Sequence, residues 1–125
     1  MSEHAAQSLV IEWAQRHEGR WPELRWLHSS LNGIYIPASA ATRARIIRHM
    51  QAEGMKKGIP DLFLPVARRG FHGLYMEMKR DNGGEVSKEQ KEFLAFAEQQ
   101  GYYPVVCHGY SEAVEILEWY LSEAQ

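Results

Sequence analysis

Asp61, Glu77 and Lys79 have types and spacing that suit one kind of chemistry. The stretch "LYMEMKR", Leu74 to Arg80, alternates Leu74, Met76 and Met78 with Tyr75, Glu77 and Lys79. That is the period of a β-strand with two different faces, so Glu77 and Lys79 point the same way. Asp61 stands sixteen positions before Glu77 and opens "DLFLPV" (61–66), a second strand. With "ARRGFHG" as the turn, the two strands fold back as an antiparallel hairpin, and the start of the first lies opposite the end of the second. Asp61 and Glu77 can then share one divalent cation, with the Met78 carbonyl as a third oxygen. A few hard oxygen ligands leave room for water and a phosphate, which suits Mg²⁺ or Mn²⁺. Lys79 beside such a site can position a water or neutralise charge developing on phosphorus. The chemistry is phosphodiester hydrolysis. Taken singly, each feature has a plainer reading: a turn aspartate bonded to nearby N–H groups, and a solvated Glu–Lys pair on an edge strand.

Those strands need a frame. Ser2 can cap a first helix over about 3–17, with Ala6, Leu9, Val10 and Trp13 on one stripe. "ELRWLHSSLNGIYIP" holds one or two short strands, with Asn32-Gly33 as a turn signal. Ser39 opens a basic helix over about 40–53, with Ile46, Ile47 and Met50 as its apolar positions and Gly54 at its end. Gly58 and Pro60 make a stiff approach to Asp61, and "DNGGEV" is a loop. Ser87 starts a helix over about 88–100 whose "SKEQ" is a capping-box pattern with Gln90. "YYPVVCH" is a strand, and Ser111 caps a last helix over about 112–122. The order α-β-α-β-β-α-β-α, with a strand–helix–strand crossover over 74–107, predicts an α/β fold: a mixed central sheet flanked by helices.

The chain of 125 residues fits one domain. No apolar run is long enough to span a membrane. The start "MSEHAAQSLVIEW" shows no signal-peptide pattern, and the single cysteine, Cys107, fits a reducing compartment, so a cytoplasmic location is expected. Cys107 lies in an apolar strand and reads as core. The six histidines show no metal-ligand spacing, and no glycine-rich nucleotide loop appears, so no nucleotide cofactor is expected. The net charge of −2 hides a segregation, because residues 43–80 hold nine basic side chains and only three acidic ones. Arg43, Arg45, Arg48, Lys56 and Lys57 are candidates for phosphate contacts on DNA. The alternative is that these charges scatter over several elements.

"PD" at 60–61 and "EMK" at 77–79 match the P-D…(D/E)-x-K signature of restriction-endonuclease-like nucleases. With "GMKKGIPDLFLP", "GLYMEMKR" and "VSKEQKEFLAFAEQQGYYPVVCHGYSEAVEIL", the chain resembles the VRR-NUC family, the virus-type replication-repair nucleases. The resemblance runs from about Glu3 to Leu121 and is strongest from Gly54 to Leu117. It implies a restriction-endonuclease-like core and a metal-dependent DNA endonuclease. Asp61, Glu77 and the Met78 carbonyl would hold the ion, and Lys79 would act on the attacking water. Family members carry an acidic residue in the first helix that faces the metal, and Glu3 matches it; a first-turn glutamate also suits the helix dipole. Ser87 and Gln90 match the family's S-x-x-Q, which puts Gln90 at the site. Asn32-Gly33 matches the family's Pro-Asn-Gly in part.

Stand-alone relatives are viral or bacterial and associated with branched DNA. The expectation is therefore a homodimer that nicks a four-way (Holliday) junction in pairs during replication, repair or recombination. The final "ILEWYL" is either part of that interface or core. The alternatives are a flap or single-strand repair nuclease, a restriction-type enzyme, or a non-catalytic nucleic-acid-binding module.

Overall fold

The computed structural model describes residues 1–122. Four strands form one sheet in the order β1-β2-β3-β4: β1 His28–Ser29, β2 Leu62–Leu64, β3 Leu74–Lys79 and β4 Tyr103–His108. The first three pair antiparallel and β3–β4 is parallel. The expected mixed sheet is present, and helix α3 (Lys88–Gln99) makes the crossover from β3 to β4. Helices α1 (Glu3–Arg16) and α4 (Tyr110–Leu121) cover the opposite face.

The core lies between that face and the two helices. Leu62, Leu64, Leu74, Met76 and Met78 are essentially fully buried, packed with Val10, Trp13, Leu117 and Tyr120. The Tyr120 hydroxyl donates to the Val66 carbonyl at 2.6 Å, which satisfies its polar end inside the core. In the "ILEWYL" segment Leu117, Tyr120 and Leu121 are therefore core, while Glu118 is exposed and Trp119 stays partly exposed under the Arg69 guanidinium at 4.1 Å. Cys107 is fully buried, and burial pushes its thiol up to about 12, which makes it inert as expected.

Several local expectations shift. β2 stops at Leu64 because Pro65 follows, so it is shorter than 61–66. "PELRW" forms a 3₁₀ turn (Pro22–Trp26), with proline at its first position, and leaves only a two-residue β1. The Asn32-Gly33 turn closes no hairpin, and residues 34–38 run irregularly to α2 (Ala40–Ala52). The Ser39 side chain caps α2, but Ile46, Ile47 and Met50 are only half-buried, and α2 buries no residue fully. The last helix begins at Tyr110 behind Gly109, not at Ser111. Gly109 is required there: its φ is +93°, and a Cβ would lie 1.8 Å from Asp81 Oδ1.

Taken singly, the Glu77–Lys79 pair also reads as a solvated pair on an edge strand. Instead α3 covers the sheet face that carries it. Phe63 stacks on Tyr75 at 4.3 Å, and Tyr75 meets Phe93 edge-on at 5.0 Å. Beyond this aromatic end, Glu77 is 3% exposed and Lys79 7% exposed. The alternation that marks two faces is present, but both faces are buried, which removes the solvated edge-pair reading.

Candidate active site

The hairpin register aligns Leu62 with Met76, Phe63 with Tyr75 and Leu64 with Leu74. Continued by one residue, it places Asp61 across from Glu77. Asp61 is fixed there by two backbone bonds. Its Oδ2 accepts the Met78 N–H at 2.7 Å, and its own carbonyl accepts the Ser30 N–H at 3.0 Å. The Met78 N–H therefore points to the Asp61 side of β3, and on a strand the carbonyl of the same residue leaves on that side too. The Asp61 and Glu77 carboxyls are thus neighbours, and the Met78 carbonyl leaves β3 on the same side.

The approach to Asp61 is built rigidly. Gly58 has φ +90°, and a Cβ on it would lie 2.7 Å from the Glu89 backbone, so only glycine fits against the start of α3. Asn32 Nδ2 donates to the Lys56 carbonyl at 2.8 Å and to the Ile59 carbonyl at 3.0 Å. This gives Asn32 a definite role: it fastens the loop that delivers Pro60 and Asp61.

Gln90 performs two tasks. Its Oε1 accepts the Ser87 N–H at 2.8 Å while Ser87 Oγ accepts the Gln90 N–H at 3.1 Å, which completes the capping box. Its Nε2 donates to Glu77 Oε2 at 2.9 Å. Lys79 Nζ approaches the same oxygen at 3.5 Å. The other oxygen, Glu77 Oε1, is buried and receives no hydrogen-bond donor among the described residues. Removing Ser87 or Gln90 is expected to cost about 1 kcal/mol of stability, as a lost cap does. Only Gln90→Ala also takes a donor from the buried Glu77 carboxyl. Thermal melts of the two variants check the loss.

The electrostatics follow from burial. Desolvation first, and the neighbouring Asp61 carboxylate second, push the Glu77 carboxyl up to about 8 despite the pull of Lys79. Burial also raises Asp61, against the Met78 N–H bond that favours its charge. The two carboxyls lie within hydrogen-bond reach of each other. Two crowded carboxylates and an orphaned buried oxygen make a site short of positive charge. With the Met78 carbonyl they offer hard oxygen donors only, which fits Mg²⁺ or Mn²⁺.

An open cleft of about 130 Å³ borders Asp61, and Glu3, His4, Gln7 and Asn32 line it. Glu3 thus faces the cleft from the first turn of α1, and its charge helps raise Asp61. Among the described residues, no three His, Cys, Asp or Glu side chains converge as a ready metal cage, so Glu3 stands back from the Asp61–Glu77 pair. Gln7 was missed from sequence, although its spacing of four from Glu3 puts it on the same helix face. His4 was passed over for lack of a paired histidine.

Arg43, Arg45, Arg48, Lys56 and Lys57 are all exposed. Arg43 reaches the rim of the cleft region and donates to the Ala38 carbonyl. Arg68 and Arg69 leave the basic group: they sit at the far hairpin turn, where Arg68 pairs with Glu23 and Arg69 with Trp119.

The VRR-NUC domain family matches residues 1–111. The chain belongs to the VRR-NUC family. A solved structure described as a VRR_NUC domain protein is similar at 28% identity, with a TM-score of 0.73, over 98% of this chain and 89% of that one. No match was found among curated proteins. Membership brings a nuclease-type fold. Among the described residues, no helix is long and apolar enough to cross a membrane.

Proposed function

We propose that the protein is a Mg²⁺- or Mn²⁺-dependent DNA endonuclease that cuts branched duplexes such as four-way junctions, acting as a two-fold homodimer. The observation that carries this reading is the crowding of the Asp61 and Glu77 carboxyls, with Glu77 Oε1 buried and receiving no donor among the described residues. Asp61, Glu77 and the Met78 carbonyl would hold the ion, with Glu3 assisting across the cleft. Lewis acidity toward a phosphoryl oxygen and the attacking water is what such an ion supplies when bound. Gln90 keeps Glu77 oriented by its 2.9 Å bond. Lys79, pinned in a nearly dry position, directs its Nζ toward the reacting phosphate and offsets the charge that builds there. Arg43, Arg45, Arg48, Lys56 and Lys57 hold backbone phosphates, which positions DNA without reading its sequence.

A substrate panel tests the reading. Linear duplex, flap and four-way-junction DNAs are incubated with Mg²⁺, Mn²⁺ or EDTA, and the size of the junction complex is measured by sedimentation. Paired nicks in the junction, absent in EDTA, with two protein copies per junction, are expected. Cutting confined to flaps or single strands would replace the junction assignment, and binding without cleavage in either metal would overturn the enzyme assignment.

A further inference from the structure

The Asp61 cleft continues into a second depression. Its lining includes Ser2, Tyr35, Ile36 and Arg43, and it shares His4, Gly33 and Ile34 with the first. The surface therefore runs from Asp61 to the first turn of the arginine-bearing helix. Its apolar content is unusual for the edge of a charged site. Tyr35 is 69% exposed and Ile34 44% exposed.

This segment is built and held. The Ile34 N–H donates to the Leu31 carbonyl at 3.2 Å, and the Ala38 N–H to the Ile36 carbonyl at 2.9 Å. Leu31 is kept at φ +69°, a left-handed conformation that costs a leucine energy and persists only where the surroundings impose it. Asn32 ties one end to the loop before Asp61, and Arg43 ties the other through the Ala38 carbonyl. The Tyr35 ring stands 6.2 Å from the His4 ring, splayed open by 49°. The loop thus holds an aromatic ring in solvent, in the depression that Arg43 lines and next to the cleft that borders Asp61.

We propose that Tyr35, flanked by Ile34 and His4, is a stacking platform for an unpaired nucleobase next to the scissile phosphate, with Arg43 on the adjoining phosphate. The chemistry is that of single-strand recognition: aromatic faces take bases of any sequence, and cations track the backbone. The proposal rests on the nuclease reading above and deepens it. In a continuous duplex every base is stacked and paired, so none reaches Tyr35. At a branch, flap or end a base can splay out at little cost. The platform gives the enzyme a means of preferring branched DNA.

The test compares a four-way junction carrying 2-aminopurine at the branch with a fully paired duplex of the same sequence, using protein blocked in turnover by Asp61→Asn. Binding should change the 2-aminopurine emission. Adding Tyr35→Ala should abolish that change and weaken junction affinity about tenfold, while duplex affinity moves less than about twofold. Tyr35→Phe should keep both signals. Arg43→Ala should weaken junction and duplex alike. Equal loss on both DNAs in Tyr35→Ala, or no loss on either, would overturn the platform. The parental protein's cleavage separates the two levels: a parent that binds no DNA ends the nuclease reading and this proposal together. Normal binding and cutting of the junction by a Tyr35→Ala single variant ends only the platform.

Discussion

Lys79→Met is expected to bind branched DNA within about threefold of the parent and to cut it roughly 10³-fold more slowly. The separation follows from where the lysine sits. Its side chain is almost fully buried, with Nζ 3.5 Å from Glu77 Oε2, so it adds little to the outer surface that meets the duplex. Its charge is available only to what enters the site. In a water-poor pocket a fixed cation is worth far more to developing phosphate charge than it is in water. Methionine preserves the unbranched packing against Gly84, whose Cβ position lies 3.3 Å from Lys79 Cδ. Loss of folding is therefore not the expected cause of inactivity. Binding curves and single-turnover rates measured on the same preparation decide it. A variant that cuts within tenfold of the parent would remove Lys79 from the chemistry.

Glu77→Gln is expected to abolish cleavage and yet stabilise the metal-free protein at alkaline pH. The Glu77 carboxyl ordinarily titrates near 4.5 and in the fold is pushed up to about 8. Between those values the folded protein holds a proton that the unfolded chain has released. That contribution to stability is fully present below about pH 4.5 and is lost as pH rises through about 8. Glutamine carries no charge at any pH and can donate to the Asp61 carboxylate. At pH 9 in EDTA, Glu77→Gln should melt roughly 5–10 °C above the parent, which corresponds to about 2 kcal/mol. At pH 5 the two should nearly coincide. The opposite order at pH 9 would mean that Glu77 is stabilised as an anion by the fold, with no need of an ion. A stability gain on disarming a site is the general signature of a centre built for function.

The placing of Asp61, Glu77, Lys79 and Gln90 side by side was legible in the sequence. The two-residue period of "LYMEMKR" gave Glu77 and Lys79 a common face, and the hairpin between Asp61 and Glu77 brought the carboxylates together in the register observed. Gln90 was readable both as a capping residue and as a site residue, and the structure uses separate atoms for the two roles. What the sequence concealed depends on tertiary packing. Periodicity says that two faces differ, but not that α3 and its aromatic layer will bury the polar one. That burial turns an ordinary ion pair into a carboxyl raised to about 8. Asn32 looked like a hairpin turn because its side-chain partners, Lys56 and Ile59, lie more than twenty residues away. The α4 start was misplaced because Gly109 offers no side-chain cap, whereas Ser111 resembles one. Basic residues counted as one group divide in space, since Arg68 and Arg69 fold to the far turn.

The claim on which the rest depends is that Asp61 and Glu77 hold one divalent ion. Thermal melts at pH 8 over a series of Mn²⁺ or Mg²⁺ concentrations test it without requiring any substrate. Above the dissociation constant, each tenfold increase in ion should stabilise the parent by about 1.4 kcal/mol. Asp61→Asn and Glu77→Gln should show no such rise, while Glu98→Gln, an exposed change on α3, should follow the parent. A metal-dependent rise of equal size in the parent and in both site variants, or no rise in the parent, would contradict the account.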